Sequence, residues 1–166
     1  MNTLLGIAER HPLRRVGVGV LLTCVLGFAG YGLGVIMPGL LAPPLRSAVA
    51  DFGCDLHQGA CNASFDQQRQ IRLELSPKSI TPSTPIRMTV NTPGIAATRV
   101  DVEFSGVNMN MGTIESELLS FDDGSFVGDS VLPVCVRRQM TWQAEVTVRG
   151  DDAVYRGLFT FDVNKR

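Results

Sequence analysis

The chain has 166 residues, 45% hydrophobic and 19% charged, a length that suits one domain of ordinary size. From Asp51 to Arg166, eleven Lys or Arg stand against fifteen Asp or Glu, a net charge of −4. That balance carries no basic stripe, so it argues against a nucleic-acid partner, which needs a concentrated cationic footprint.

The first element is a membrane segment. No charged residue occurs from Val16 to Leu45, and a bilayer span needs about 20 such residues. The span is expected from about Val16 to Met37, with Pro38 marking its end and Pro43-Pro44 forbidding simple continuation. Gly30 and Gly34 form a G-x-x-x-G through which another helix can approach closely. Arg10, Arg14 and Arg15 precede the span and Arg46 follows it. The positive-inside rule therefore puts the N-terminus in the cytoplasm and the rest outside. A cleaved signal peptide is the competing reading, with Ala48-Val49-Ala50 resembling a cleavage site. The apolar stretch exceeds the usual h-region of about 7–15 residues, which favours an uncleaved anchor. The expected division is a cytoplasmic N-terminus over 1–15, a transmembrane anchor over 16–42, a linker over 43–69 and a β-sandwich over 70–166.

The linker reads DFGCDLHQGACNAS. Cys54 and Cys61 most simply form a disulfide in an oxidising compartment. The alternative is a soft metal set of Cys54, His57 and Cys61, although the spacing is not a standard zinc signature.

From Gln70 the hydrophobic period becomes two. QIRLELS alternates Ile71, Leu73 and Leu75 against Arg72 and Glu74, and IRMTVN alternates Ile86, Met88 and Val90 against Arg87 and Thr89. TRVDVEFSGV, TWQAEVTVRG and AVYRGLFTFDV repeat the pattern, FVGDSVLPVCV supplies another strand, and IESELLSF reads as a short strand or a turn of helix. About seven short strands with turns between them predict an all-β antiparallel sandwich.

The candidate chemistry is sulfur. TRVDVEFSGV runs into Asn108–Gly112, NMNMG. If the strand persists, Met109 and Met111 share a face, and two thioethers make a soft, uncharged site suited to Cu(I). Unbroken alternation would put them on the Asp101/Glu103 face, while a bulge or turn near Gly106 would reverse the phase. Core filling is the plain alternative for any Met. With Cys54 and Cys61 paired, Cys135 is left over. It is either a small buried hydrophobe or a thiolate joining Met109, Met111 and Met140 around Cu(I), where one negative charge balances the ion. No G-x-S-x-G, H-E-x-x-H or C-x-x-C occurs, so no enzyme is expected.

The layout, with DFGCDL and Cys61, FSGVNMNMG, FVG…LPVC and MTWQAEV, resembles the membrane-anchored FixH-like and YtkA-like proteins of bacteria. That resemblance implies a periplasmic immunoglobulin-like or cupredoxin-like sandwich on a single-pass inner-membrane anchor and a role in copper supply or haem–copper oxidase assembly. It implies copper handling at Met109, Met111 and Cys135, and a membrane-bound copper acceptor or respiratory complex as partner. A non-metal accessory subunit of such a complex, with the glycine-rich helix packed against other spans, is the alternative.

Overall fold

The computed structural model describes residues 12–41, 43–134 and 138–164, with helical side chains described over 17–35. The chain divides into two compact units, Met1–Ala42 and Pro43–Arg166.

The first unit contains the helix α1, Pro12–Leu41. Proline suits its first position, where the missing N–H would have no intrahelical acceptor. The stretch Gly17–Val35 is long and apolar enough to cross a membrane, a test that a signal sequence also meets. The helix passes through Pro38 and ends at Leu41, later than the expected end at Met37. Proline in the last turn deletes only one backbone bond, so it did not terminate the helix here. At about 100° per residue, Gly19, Thr23, Gly27, Gly30 and Gly34 fall within an arc of about 80°. A Cβ added to any of these four glycines would meet nothing within 4 Å. The Thr23 hydroxyl lies 2.8 Å from the Val20 carbonyl, so it leaves no unsatisfied donor on that face.

The second unit is all β, a nearly barrel-shaped sandwich. Its strands are β1 (Leu45–Val49), β2 (Cys61–Ser64), β3 (Gln70–Ser76), β4 (Pro85–Asn91), β5 (Ala97–Gly106), β6 (Thr113–Ser120), β7 (Ser125–Val131), β8 (Gln139–Gly150) and β9 (Val154–Asn164). They join in the order β1-β9-β8-β5-β6-β7-β4-β3-β2. The sheet folds over at β6, which pairs with β5 through Thr113–Leu118 and with β7 through Leu119 and Ser120. Alternation did what it was expected to do: Ile71, Leu73, Leu75, Ile86, Met88, Val90, Val100, Val102 and Phe104 are all buried. Register matches large to small across the core, with Phe104 opposite Ala144 and Val146 opposite Gly157. The two layers touch at Gly157, where an added Cβ would meet Ala63 and Ile71 at 3.3 and 3.4 Å.

Of the two readings offered for IESELLSF, the strand holds, as β6. Two features differ from the expectation. The segment 43–69, expected as a linker, supplies β1 and β2 to the sheet. One pairing, β1 with β9, is parallel. β1 turns only Ala48 inward, and its first residue prolongs the apolar run of the helix, so neither period nor composition announced it. Cys61 and Ala63 of β2 are buried, but a strand of four residues is too short for a clear period.

The turns at the end of the sandwich where β1 begins are tied by a polar cluster. Tyr155 is fully buried, and its hydroxyl donates to Asp152 at 2.8 Å. Arg69 Nη1 lies 2.6 Å from Asp152, and Arg69 Nε lies 2.8 Å from Asp66. The Phe65 ring packs edge-on to Tyr155 at 5.0 Å. The Tyr155 hydroxyl holds the Asp152 carboxyl below the usual carboxylate range, and the backbone N–H groups of Gln68 and Arg69 do the same for Asp66. A carboxyl depressed in the folded state adds stability above its unfolded pKa of about 3.9 and loses it as pH falls through the folded value. Tyr155→Phe is therefore expected to shrink the drop in Tm between about pH 5 and about pH 3. Melts at several acid pH values check this, and an acid limb identical in the two proteins would remove Tyr155 from the account.

Candidate functional site

The Met loop is built at the far end of β5. β5 stops at Gly106, and β6 starts at Thr113 opposite Ser105. Asn108–Gly112 is thus a hairpin loop and not a continuing strand, so Met109 and Met111 do not share a strand face. The turn foreseen at Gly106 is what breaks the alternation. Val107 N–H donates to the Thr141 carbonyl at 2.9 Å, the last bond of the β5–β8 ladder. The loop then turns back. Asn110 Oδ1 accepts the Gly112 N–H at 3.0 Å, an Asx turn that replaces strand pairing, and Gly112 takes φ +77°.

This path folds Met109 over the strand end. Its carbonyl oxygen and the Met140 methyl both lie against Gly106. Met109 and Met111 are half-buried and pack against the core. Met140, from β8, is a core side chain, 2% exposed. Of the four expected sulfur ligands, then, two sit on the loop and one lies beneath it. Cys135 falls outside the described residues, as does Arg137. The nearest outward row of side chains is neutral: Ser105 lies opposite Thr113 and Gln143. One row further on, Glu103 lies opposite both Glu115 and Glu145. Glu145 is paired with Arg156 at 2.7 Å.

The disulfide joins Cys54 and Cys61 as expected, with Cα atoms 5.6 Å apart. Between them Leu56 is 1% exposed. His57 Nδ1 lies 3.0 Å from the Lys78 carbonyl oxygen, and Nε2 lies 2.7 Å from that of Asp162. The Cys54–His57–Cys61 metal set is thereby ruled out in this form. Both sulfurs are oxidised, and both ring nitrogens face carbonyl oxygens rather than open space. Sequence spacing found the disulfide, but nothing local signalled that His57 joins the β3–β4 connection to the end of β9. Among the described residues no group of three His, Cys, Asp or Glu could hold a metal ion; thioethers are a separate donor class.

A shallow depression at the opposite end, lined by Asn91, Pro93, Ile95, Ala97, Phe121 and Phe126 among others, contains no titratable side chain.

No family model matches the chain, and no curated protein matches it. Among solved structures, the crystal structure of an engineered protein is similar at 18% identity with a TM-score of 0.42. The match covers 61% of this chain and 22% of that one. None of these comparisons bears on the FixH-like or YtkA-like resemblance.

Proposed function

We propose that the chain is a membrane-tethered Cu(I)-binding protein whose β domain lies outside the cytoplasm, in the periplasm of a bacterium, serving as a copper chaperone or oxidase assembly factor. The observation that carries this reading is the Met loop: two half-exposed methionines on a hairpin tip that pack against the core, with the Met109 carbonyl and the Met140 methyl both lying against Gly106. Thioethers are soft, neutral donors that favour Cu(I) over harder divalent ions. The neutral row around the loop leaves the +1 charge to be balanced by a single thiolate, the role assigned to Cys135. A disulfide fits an oxidising compartment, and three arginines before the apolar stretch Gly17–Val35 against one after it fit an inside N-terminus. The β domain begins at Pro43, and the Pro44 carbonyl accepts the Val154 N–H, at the opposite end of the sandwich from the Met loop. A membrane tether raises the loop's effective concentration near a membrane-bound acceptor, to which copper would pass by ligand exchange.

The five-residue arc of small side chains on α1 favours a second reading, an accessory subunit of a respiratory complex whose helix packs against other spans. One experiment separates the two. The full chain, in detergent with its disulfide intact, is titrated with Cu(I) under ascorbate against a competing chelator. Met109→Ala, Met111→Ala and Cys135→Ser are each expected to weaken binding by about tenfold or more, or about 1.4 kcal/mol. Equal affinity in all three variants removes the site, and no binding by the wild type leaves the accessory-subunit reading.

A further inference from the structure

We infer that Gly106 is the positioning residue of the Met loop, the bare Cα on which Met109 and Met140 meet. A Cβ built there would run into two atoms, the Met109 carbonyl oxygen and the Met140 methyl. The first belongs to the backbone and has no side-chain torsion with which to step aside. The second ends a flexible side chain, but that side chain is enclosed in the core at 2% exposure. Any side chain at position 106 therefore lifts Met109 off the strand end.

The other devices in the loop act differently. Gly112 supplies a positive φ, and a Cβ there would meet nothing within 4 Å, so its role is conformational rather than one of space. Asn110 closes the turn through the Gly112 N–H, and Val107 anchors the departure from the ladder. These three shape the loop, whereas Gly106 decides how closely it approaches Met140. A residue that holds ligands in place without touching the ion changes affinity through preorganisation. The copper consequence rests on the Cu(I) reading above; the packing consequence does not.

The test uses the full chain in detergent with methyl-labelled methionine. In the wild type, a nuclear Overhauser contact between the Met140 methyl and the Gly106 α-protons is expected, and its absence overturns the inference without any substitution. In Gly106→Ala, the Met109 and Met140 methyl resonances are expected to move while that of Met88, fully buried elsewhere in the core, stays in place. Cu(I) affinity is expected to fall by about tenfold or more, the scale on which residues supporting metal ligands act. Gly128→Ala is the control: its Cβ would meet the Leu118 side chain at 3.2 Å, away from the loop. It should leave both the Met109 resonance and the affinity unchanged. Unmoved Met109 and Met140 resonances in Gly106→Ala refute the inference. The contact in the wild type and the shifts in Gly106→Ala, together with no Cu(I) binding by the wild type, refute the copper reading and leave the positioning role standing.

Discussion

Serine in place of both Cys54 and Cys61 is expected to lower the unfolding free energy of the β domain by about 2–3 kcal/mol, the loop-closure entropy of so short a bridge. The cysteines are seven positions apart, so this entropic term is near its lower range. Two further contacts depend on the bridged segment. Leu56 is buried inside it, and His57 reaches Lys78 and Asp162 from it. The segment also leads straight into β2, an edge strand of four residues with little pairing of its own to hold it. Chemical denaturation of the full chain, followed through the single Trp, measures the difference. A change below about 0.5 kcal/mol, the ordinary size of a surface substitution, would mean that Leu56 and His57 hold the segment without the bridge.

Trp142→Ala is expected to remove about 3–5 kcal/mol, the usual loss when a large buried aromatic is truncated and its cavity fails to close. Trp142 is 2% exposed. It lies opposite Gly106 on one side and opposite Phe161 on the other, and Phe161 in turn meets Phe104 edge-on at 6.2 Å. The cavity would open directly below the end of β5, where the Met loop departs. Loss of stability should therefore come with a changed environment for Met109 and Met140. Circular dichroism must follow the unfolding, since the substitution removes the fluorophore. A loss near 1 kcal/mol would show that the strand ends collapse into the space, contrary to a floor built on Trp142.

The membrane-compatible helix could be read directly from the sequence because it depends only on a long uncharged run. Its true end at Leu41 could not, because proline in a last turn weakens a helix without always ending it. The Cys54–Cys61 bridge was legible because seven positions of separation keep the partners close in any compact fold. The inward faces of β3, β4, β5, β8 and β9 were legible too, since a one-sided strand writes its burial into a period of two.

The tertiary structure alone decided the rest. β1 pairs with β9 across more than a hundred residues, and no local pattern encodes a partner at that distance. His57 is held by carbonyls of two remote segments, which spacing cannot reveal. The Met loop shows the same division. Its residue types, and the chance of a break at Gly106, stood in the sequence. That the break is a fold-back, bringing the Met109 carbonyl and the Met140 methyl onto one glycine, depended on β8 lying beside β5. The residue types are local, and long-range strand pairing set which of them meet at Gly106.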